Sequence, residues 1–360
     1  MKWYQVAQES ELNTPALLVY PDRVQDNIDR ALEIVGTPER IRPHVKTHKM
    51  LEVGRMQVQS GIKQFKCATI AEAEMMAMAG AKDILIAYQL LGPRVTQLVR
   101  LKGAYPDCRF ASLVDCDHGL GELSQHDHSF DIYIDVDVDH HRTGIPVGPK
   151  FDQLIDRISD LINISLIGFH AYDGHSRNPN LVERTKVCDE GIAPLLPYLD
   201  KYPELSIVTG GSPTFLVHAQ HERRQCSPGT FVFWDHGYQS KFPEYRFNYA
   251  AVLATRIISK IDDDTFCFDL GHKHVASEGS PPQIIFFDTP LFEPVSHSEE
   301  HLVIQFKEKV PYQVGDVLYG VPRHICPTVA LYPAAMVVNN HHITDHWQVI
   351  ARNLELSPTP

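Results

Sequence analysis

The chain has 360 residues, 43% hydrophobic and 22% charged, which provides for a sizeable core and lies well outside the disordered compositional class. Its 33 lysines and arginines face 45 aspartates and glutamates, a net charge of −12, and no long basic run argues for nucleic acid or an anionic membrane as partner. No apolar run approaches the roughly 18 residues of a membrane span, and residues 1–13 are too polar for a secretory signal, so a cytoplasmic protein with a small-molecule ligand is expected.

Residues 15 to about 215 alternate short apolar or β-branched runs with stretches of helical period, a pattern that predicts parallel strands linked by helices. A first strand at 15–20 is followed by a helix over 22–35. The second strand, 43–47, holds Lys46 in a run otherwise expected to be apolar, where an unpaired ammonium is expensive. Such a lysine is ion-paired, shifted in pKa, or consumed in a Schiff base. Strands at 64–69, 83–88 and 110–114 come next, with a helix over 70–79 after the first of them. The sixth strand, 131–138, puts Asp135, Asp137 and Asp139 on one face and runs on to Arg142. That face suits a hard cation, or a polar interior that orients the arginine toward a ligand oxygen.

After a helix over 150–161, the seventh strand, 166–172, places His170 and Tyr172 on one face, where the tyrosine either packs in the core or stacks on a planar ring. A helix over 181–193 separates it from the eighth strand, 205–210, and the turn Thr209-Gly210-Gly211-Ser212-Pro213-Thr214. Ser212 is expected to cap a helix with Pro213 at its first position, leaving N–H groups for an anion. An ordinary strand-to-helix turn is the plainer alternative.

Eight such units fit a closed (β/α)8 barrel of the TIM type better than an open sheet. The chain has no Gly-x-Gly-x-x-Gly after its first strand and no Gly-x-x-x-x-Gly-Lys-Ser/Thr, which removes the main support for a dinucleotide fold and a P-loop. A lysine and an anion turn at one barrel mouth suggest a phosphate-bearing aldehyde cofactor, pyridoxal 5′-phosphate. Runs at 249–258, 265–270, 284–287, 302–306 and 336–339 read as strands without intervening helices, a C-terminal all-β domain. The domains are drawn at 14–230 and 231–354, with residues 1–13 packing with the second, and the end, 355–360, is expected to fray.

Seven cysteines without a Cys-x-x-Cys pair form neither a disulfide framework nor a four-cysteine zinc module. Among 20 histidines, spacing singles out His324-Ile325-Cys326. In extended backbone, residues two apart face the same way, so imidazole and thiolate could grip one metal ion with donors that suit zinc. A buried structural thiol is the alternative.

Thr14-Pro15-Ala16-Leu17-Leu18-Val19, Arg42-Pro43-His44-Val45-Lys46-Thr47-His48-Lys49, Cys67-Ala68-Thr69-Ile70-Ala71-Glu72-Ala73-Glu74 and the Gly210–Thr214 turn are followed by Pro228-Gly229-Thr230-Phe231-Val232-Phe233-Trp234-Asp235, Ser298-Glu299-Glu300-His301 and His324-x-Cys326-Pro327-Thr328. Together these motifs resemble the D-threonine aldolase and D-serine dehydratase family, alanine-racemase-like pyridoxal-phosphate enzymes of fold type III. The resemblance covers nearly the whole chain. It implies that Lys46 binds the cofactor covalently and that His324 and Cys326 hold a divalent metal, zinc ahead of manganese or magnesium. It also implies that Arg142, Tyr172, Thr209, Gly210, Gly211, Ser212 and Tyr238 hold the cofactor's ring and phosphate, and that His170 and His175 move protons at the substrate. The implied reaction is retro-aldol cleavage of D-3-hydroxy amino acids of the D-threonine type to glycine and an aldehyde. The aldolases usually have aspartate where this chain has Cys326, so dehydration of the D-serine type, to pyruvate and ammonia, is the alternative. An amino-acid racemase, needing a second acid/base and no metal, and a non-catalytic carrier consisting of the barrel alone are more distant readings. A homodimer is expected.

Overall fold

The structure, a computed structural model, describes residues 1–356; most of the end expected to fray, residues 357–360, lies outside them. The chain forms two compact units. One comprises Met1–Ile28, Thr47–Met50 and Thr230–Arg352, the other Asp29–Lys46, Leu51–Gly229 and the described residues from Asn353. Its strands are β1 (Ala16–Val19), β2 (Gln64–Cys67), β3 (Asp83–Gln89), β4 (Arg109–Val114), β5 (Phe130–Asp135), β6 (Ile164–Ala171), β7 (Ser206–Thr209) and β8 (Arg224–Cys226), then β9 (Ala251–Lys260), β10 (Thr265–Phe268), β11 (Ile284–Phe286), β12 (Phe292–His297), β13 (Leu302–Phe306), β14 (Val317–Pro322), β15 (Ala334–Asn339) and β16 (His342–Gln348).

The seven strands β2 to β8 pair in sequence order, all parallel. The predicted second strand, 43–47, is not one. Pro43 has no N–H to give a ladder, and Val45–Thr47 is a 3-10 turn. Residues 41–44 nevertheless fill the eighth position, because Ile41 bridges Cys226 of β8 and His44 bridges Lys66 of β2. Arg42 N–H donates to Cys226 O at 2.8 Å, and Lys66 N–H to Pro43 O at 2.8 Å. The two edges of the sheet are thus joined, completing a TIM-type α/β barrel around Leu85, Ala111, Leu113, Tyr133 and Val208.

The helices between the strands follow local rules. Helix Ile70–Ala79 starts at Thr69, whose hydroxyl accepts Glu72 N–H at 3.1 Å while the Glu72 carboxylate reaches back to Ala68 N–H at 2.6 Å. It stops at Gly80, whose φ of +98° only glycine adopts freely.

In the other unit, β1 corrects a second expectation. It does not open the barrel but lies inside a nine-stranded sheet, antiparallel to β9 and parallel to β15. A buried apolar run cannot itself tell which sheet it will join, and Leu18 packs here with Tyr4, Val252 and Tyr319. The unit is mostly β but includes a helix at Ile325–Leu331, and β12, β14 and β16 are strands that the apolar pattern missed. β12 has no buried residue and β16 only one, so neither reads as a buried run.

Candidate active site

A cavity of about 510 Å³ opens at the C-terminal ends of the barrel strands, lined by His44, Lys46, Lys66, Asp115, Asp135, Arg142, His170 and Tyr172 among others. Lys46 reaches it from the 3-10 turn rather than from within a strand, and its side chain is exposed, not buried as its neighbours implied. The buried lysine is Lys66 on β2, 2% exposed. Burial first, then the charge of Lys46, pushes its pKa down to about 7. Lys66 carries in the sequence the same signal as Lys46, a lysine inside an otherwise apolar run, Phe65-Lys66-Cys67, but is absent from the expected site residues.

His170, near the end of β6, is also buried. Its Nδ1 lies 2.7 Å from Asp135 Oδ1 and its Nε2 3.4 Å from Lys66 Nζ. Burial and the charge of Lys66 lower the His170 pKa against the pull of Asp135. The Arg142 guanidinium sits 4.7 Å from the Tyr172 ring centroid, and Lys66 Nζ 5.5 Å from it. The three aspartates do not share a strand face, because β5 ends at Asp135. Asp139 and His141 have positive φ, and Asp137 binds the His141 backbone at 2.9 Å and its ring at 3.0 Å. That turn positions the segment that carries Arg142. His175 is exposed and stacks on His140 at 5.2 Å.

The glycine turn follows β7. Gly211, not Ser212, occupies the cap position, and Pro213 is the second residue of a 3-10 turn, Ser212–Thr214. Two of the amides expected to face an anion, and that of Thr214 beside them, are engaged within the protein: Gly210 N–H donates to Ala171 O at 3.0 Å, Gly211 N–H to Thr214 Oγ1 at 3.2 Å, and Thr214 N–H to Gly211 O at 3.3 Å. The Ser212 hydroxyl accepts Gly229 N–H at 3.2 Å, and Thr209 Oγ1 donates to Gln225 O at 3.3 Å. Glycine at 211 permits close approach to the cavity, since a Cβ there would stand 3.1 Å from the Tyr172 ring. Behind the turn, Asp173 accepts hydrogen bonds from Thr214 Oγ1 at 2.7 Å and His218 Nε2 at 2.6 Å. Asp173, Cys188 and His218 lie close enough to share an ion, but burial keeps the Cys188 thiol protonated and Asp173 is already satisfied. The cluster is a hydrogen-bonded scaffold for the turn.

In the other unit, His324 precedes helix Ile325–Leu331 and Cys326 lies in its first turn. The expected same-face spacing of an extended strand is therefore replaced by convergence across a helix start. Cys326 Sγ lies 3.1 Å from Thr47 Oγ1 and 3.4 Å from Thr230 Oγ1. Burial pushes the Cys326 thiol up, but hydrogen bonding and charge from His324 outweigh it and the pKa is lowered. His324 is raised to about 9, burial opposing the pull of Cys326 and Glu278. A thiol whose pKa is lowered in this way, beside an imidazole, has the chemistry of a soft metal donor pair. Glu278 Oε2 holds His324 Nδ1 at 2.7 Å, the kind of contact that would orient a ligating imidazole, and the sequence alone does not reveal it. Tyr238, in helix His236–Gln239, stacks on Trp234 at 5.4 Å.

Residues 19–236 match the family described as alanine racemase, N-terminal domain, and residues 250–338 match a serine dehydratase domain. D-threonine aldolase of Arthrobacter sp is 29% identical over 364 residues, spanning 95% of this chain and 93% of the relative. D-serine dehydratase of Dictyostelium discoideum is 24% identical over 382 residues, spanning 92% and 94%. The crystal structure of D-threonine aldolase from Filomicrobium marinum matches with a TM-score of 0.84 at 23% identity, covering 95% of this chain and 96% of that one. That last likeness is one of fold.

Proposed function

Since the chain belongs to the alanine racemase N-terminal-domain family, we propose that it is a pyridoxal 5′-phosphate- and divalent-metal-dependent lyase that cleaves D-3-hydroxy amino acids of the D-threonine type to glycine and an aldehyde. The observation that carries the proposal is the barrel cavity, with two amines, a guanidinium above an aromatic ring and a carboxylate-backed imidazole at the strands' C-terminal ends. These residues fit the cofactor: a primary amine for its aldehyde, cations for its anionic oxygens, and a side-chain-free Gly211 beside the ring of Tyr172. Bound, the cofactor supplies an electron sink next to the amino acid's Cα, and a metal supplies Lewis acidity.

Lys46 is the attachment residue. Its exposure leaves the amine able to swing into the cavity. Tyr172 and Arg142 hold the ring, with Thr209, Gly210, Gly211 and Ser212 near the phosphate and Tyr238 as a further candidate. His170 and His175 are the proton-moving candidates, with His170 fixed in orientation by Asp135. His324 and Cys326 hold the metal, and their nitrogen and sulfur donors favour zinc. A homodimer and a cytoplasmic address belong to the same reading, which the free cysteines fit. The second reading, dehydration of the D-serine type, is favoured by one observation, a cysteine rather than an aspartate at the second ligand position.

Borohydride reduction followed by peptide mapping tests the attachment. The cofactor-loaded protein is expected to be yellow, with the pyridoxyl label on Lys46. Label on Lys66 instead would overturn the assignment.

A further inference from the structure

We propose that Lys66, docked on His170 and backed by Asp135, is the residue that passes protons to and from the molecule bound in the barrel cavity. Alternation along β2 turns Phe65 and Cys67 away from the side that Lys66 faces, and Lys66 lines the cavity although it is buried. Both nitrogens of His170 are engaged. Nδ1 faces Asp135 at 2.7 Å, and a carboxylate accepts, so Nδ1 carries the proton. Nε2 then accepts from Lys66 Nζ at 3.4 Å. His170 therefore acts through Lys66, which keeps its other bonding positions for the cavity. As an ammonium Lys66 gives one proton, as an amine it takes one back, and it can donate to Nε2 in both states.

The charged groups around Lys66 come from several elements. Lys46 on the 3-10 turn and Arg142 after β5 disfavour its charged form, while Asp135 on β5 and Asp173 after β6 favour it. Asp115 and His44 line the same cavity. This balance, in a desolvated site, suits an amine exchanging protons near neutrality.

The inference rests on the proposed reading that a cofactor and an amino acid occupy this cavity, and one arm of its test does not need that reading. In protein labelled with ¹³C at lysine Cε, an NMR titration follows Lys66 directly, with Lys66→Arg to assign its resonance. Its proton affinity is expected to be at least about 100-fold below that of the surface lysines. It should fall further in Asp135→Asn and rise in Arg142→Gln; a Lys66 that titrates with the surface lysines overturns the proposal. In the cofactor-loaded enzyme, Lys66→Met and Lys66→Arg should each lose about 10²–10⁴-fold in kcat/KM, because arginine keeps the charge but releases no proton. Both should also lose the limb of the pH profile that follows the Lys66 midpoint. An arginine variant with wild-type turnover would reveal an anion anchor and overturn the proton role. If loaded wild-type enzyme turned over no D-3-hydroxy amino acid, the reaction proposed above would fail, and the relay would be decided by the titration.

Discussion

At the scale of single residues, two lysines show what a one-dimensional pattern conveys. Lys46 was legible because it lies in a distinctive motif, yet the physical reason first attached to it, burial in a strand, belongs to Lys66. Residue types in a row predict an expensive ammonium; they do not predict which one the chain turns outward. Gly210 is a clearer case, because its φ of +72° is coupled to crowding: a Cβ would stand 2.6 Å from His218 Cδ2 and 2.7 Å from Thr214 Oγ1. Gly210→Ala is expected to destabilise the protein by about 1–3 kcal/mol, read as a lowered midpoint in denaturant titration. An unchanged midpoint would mean that the turn relaxes freely. Glu278 supports a different expectation. Holding His324 Nδ1 leaves the other ring nitrogen for a metal, so Glu278→Gln should weaken zinc binding about 10–100-fold in a competition titration with a chelator. Equal affinity in the two proteins would reduce this contact to a surface ion pair.

At the scale of elements, the helices and buried strands were legible because hydrophobic period and caps are local. Ile70–Ala79 and Leu302–Phe306 lie where their patterns put them. What was not legible depends on partners far along the chain. β1 joined the other sheet, β8 is only three residues long, and the eighth position of the barrel is an irregular segment. That segment is held by Arg42. Buried, it bonds Asp83 of β3 at 2.7 Å and Gln225 of β8 at 2.8 Å, with the Tyr133 hydroxyl at 3.5 Å. Asp83→Asn would leave Arg42 buried without its countercharge and should destabilise the protein by about 3–5 kcal/mol. The pair also predicts an acid dependence. Burial pushes the Asp83 pKa up, but Arg42 and then Arg109 hold it below the usual carboxylate range. A depressed folded-state pKa gives stability that is present above the unfolded value, about 3.9, and lost as pH falls through the folded one. Wild type should therefore lose stability below about pH 4 more steeply than Asp83→Asn, and parallel acid-unfolding curves would contradict this account.

At the scale of the whole molecule, the comparisons and the two units agree on architecture: a TIM-type barrel of the alanine racemase N-terminal family and a mostly β unit matching a serine dehydratase domain. The barrel carries the amines and the β unit carries the His324–Cys326 pair. Order along the chain made the motifs legible together, whereas their individual signals were weak. The pairings of Asp135 with His170 and of Glu278 with His324 were not legible, because each meets its residue across a long stretch of chain. The reaction itself is tested by incubating the cofactor- and zinc-loaded enzyme with D-threonine, L-threonine and D-serine side by side and measuring glycine, aldehyde and pyruvate. Glycine and acetaldehyde are expected in equal amounts from D-threonine, and neither from L-threonine. Pyruvate and ammonia from D-serine, with no glycine from D-threonine, would contradict the aldolase assignment and establish the dehydratase reading in its place.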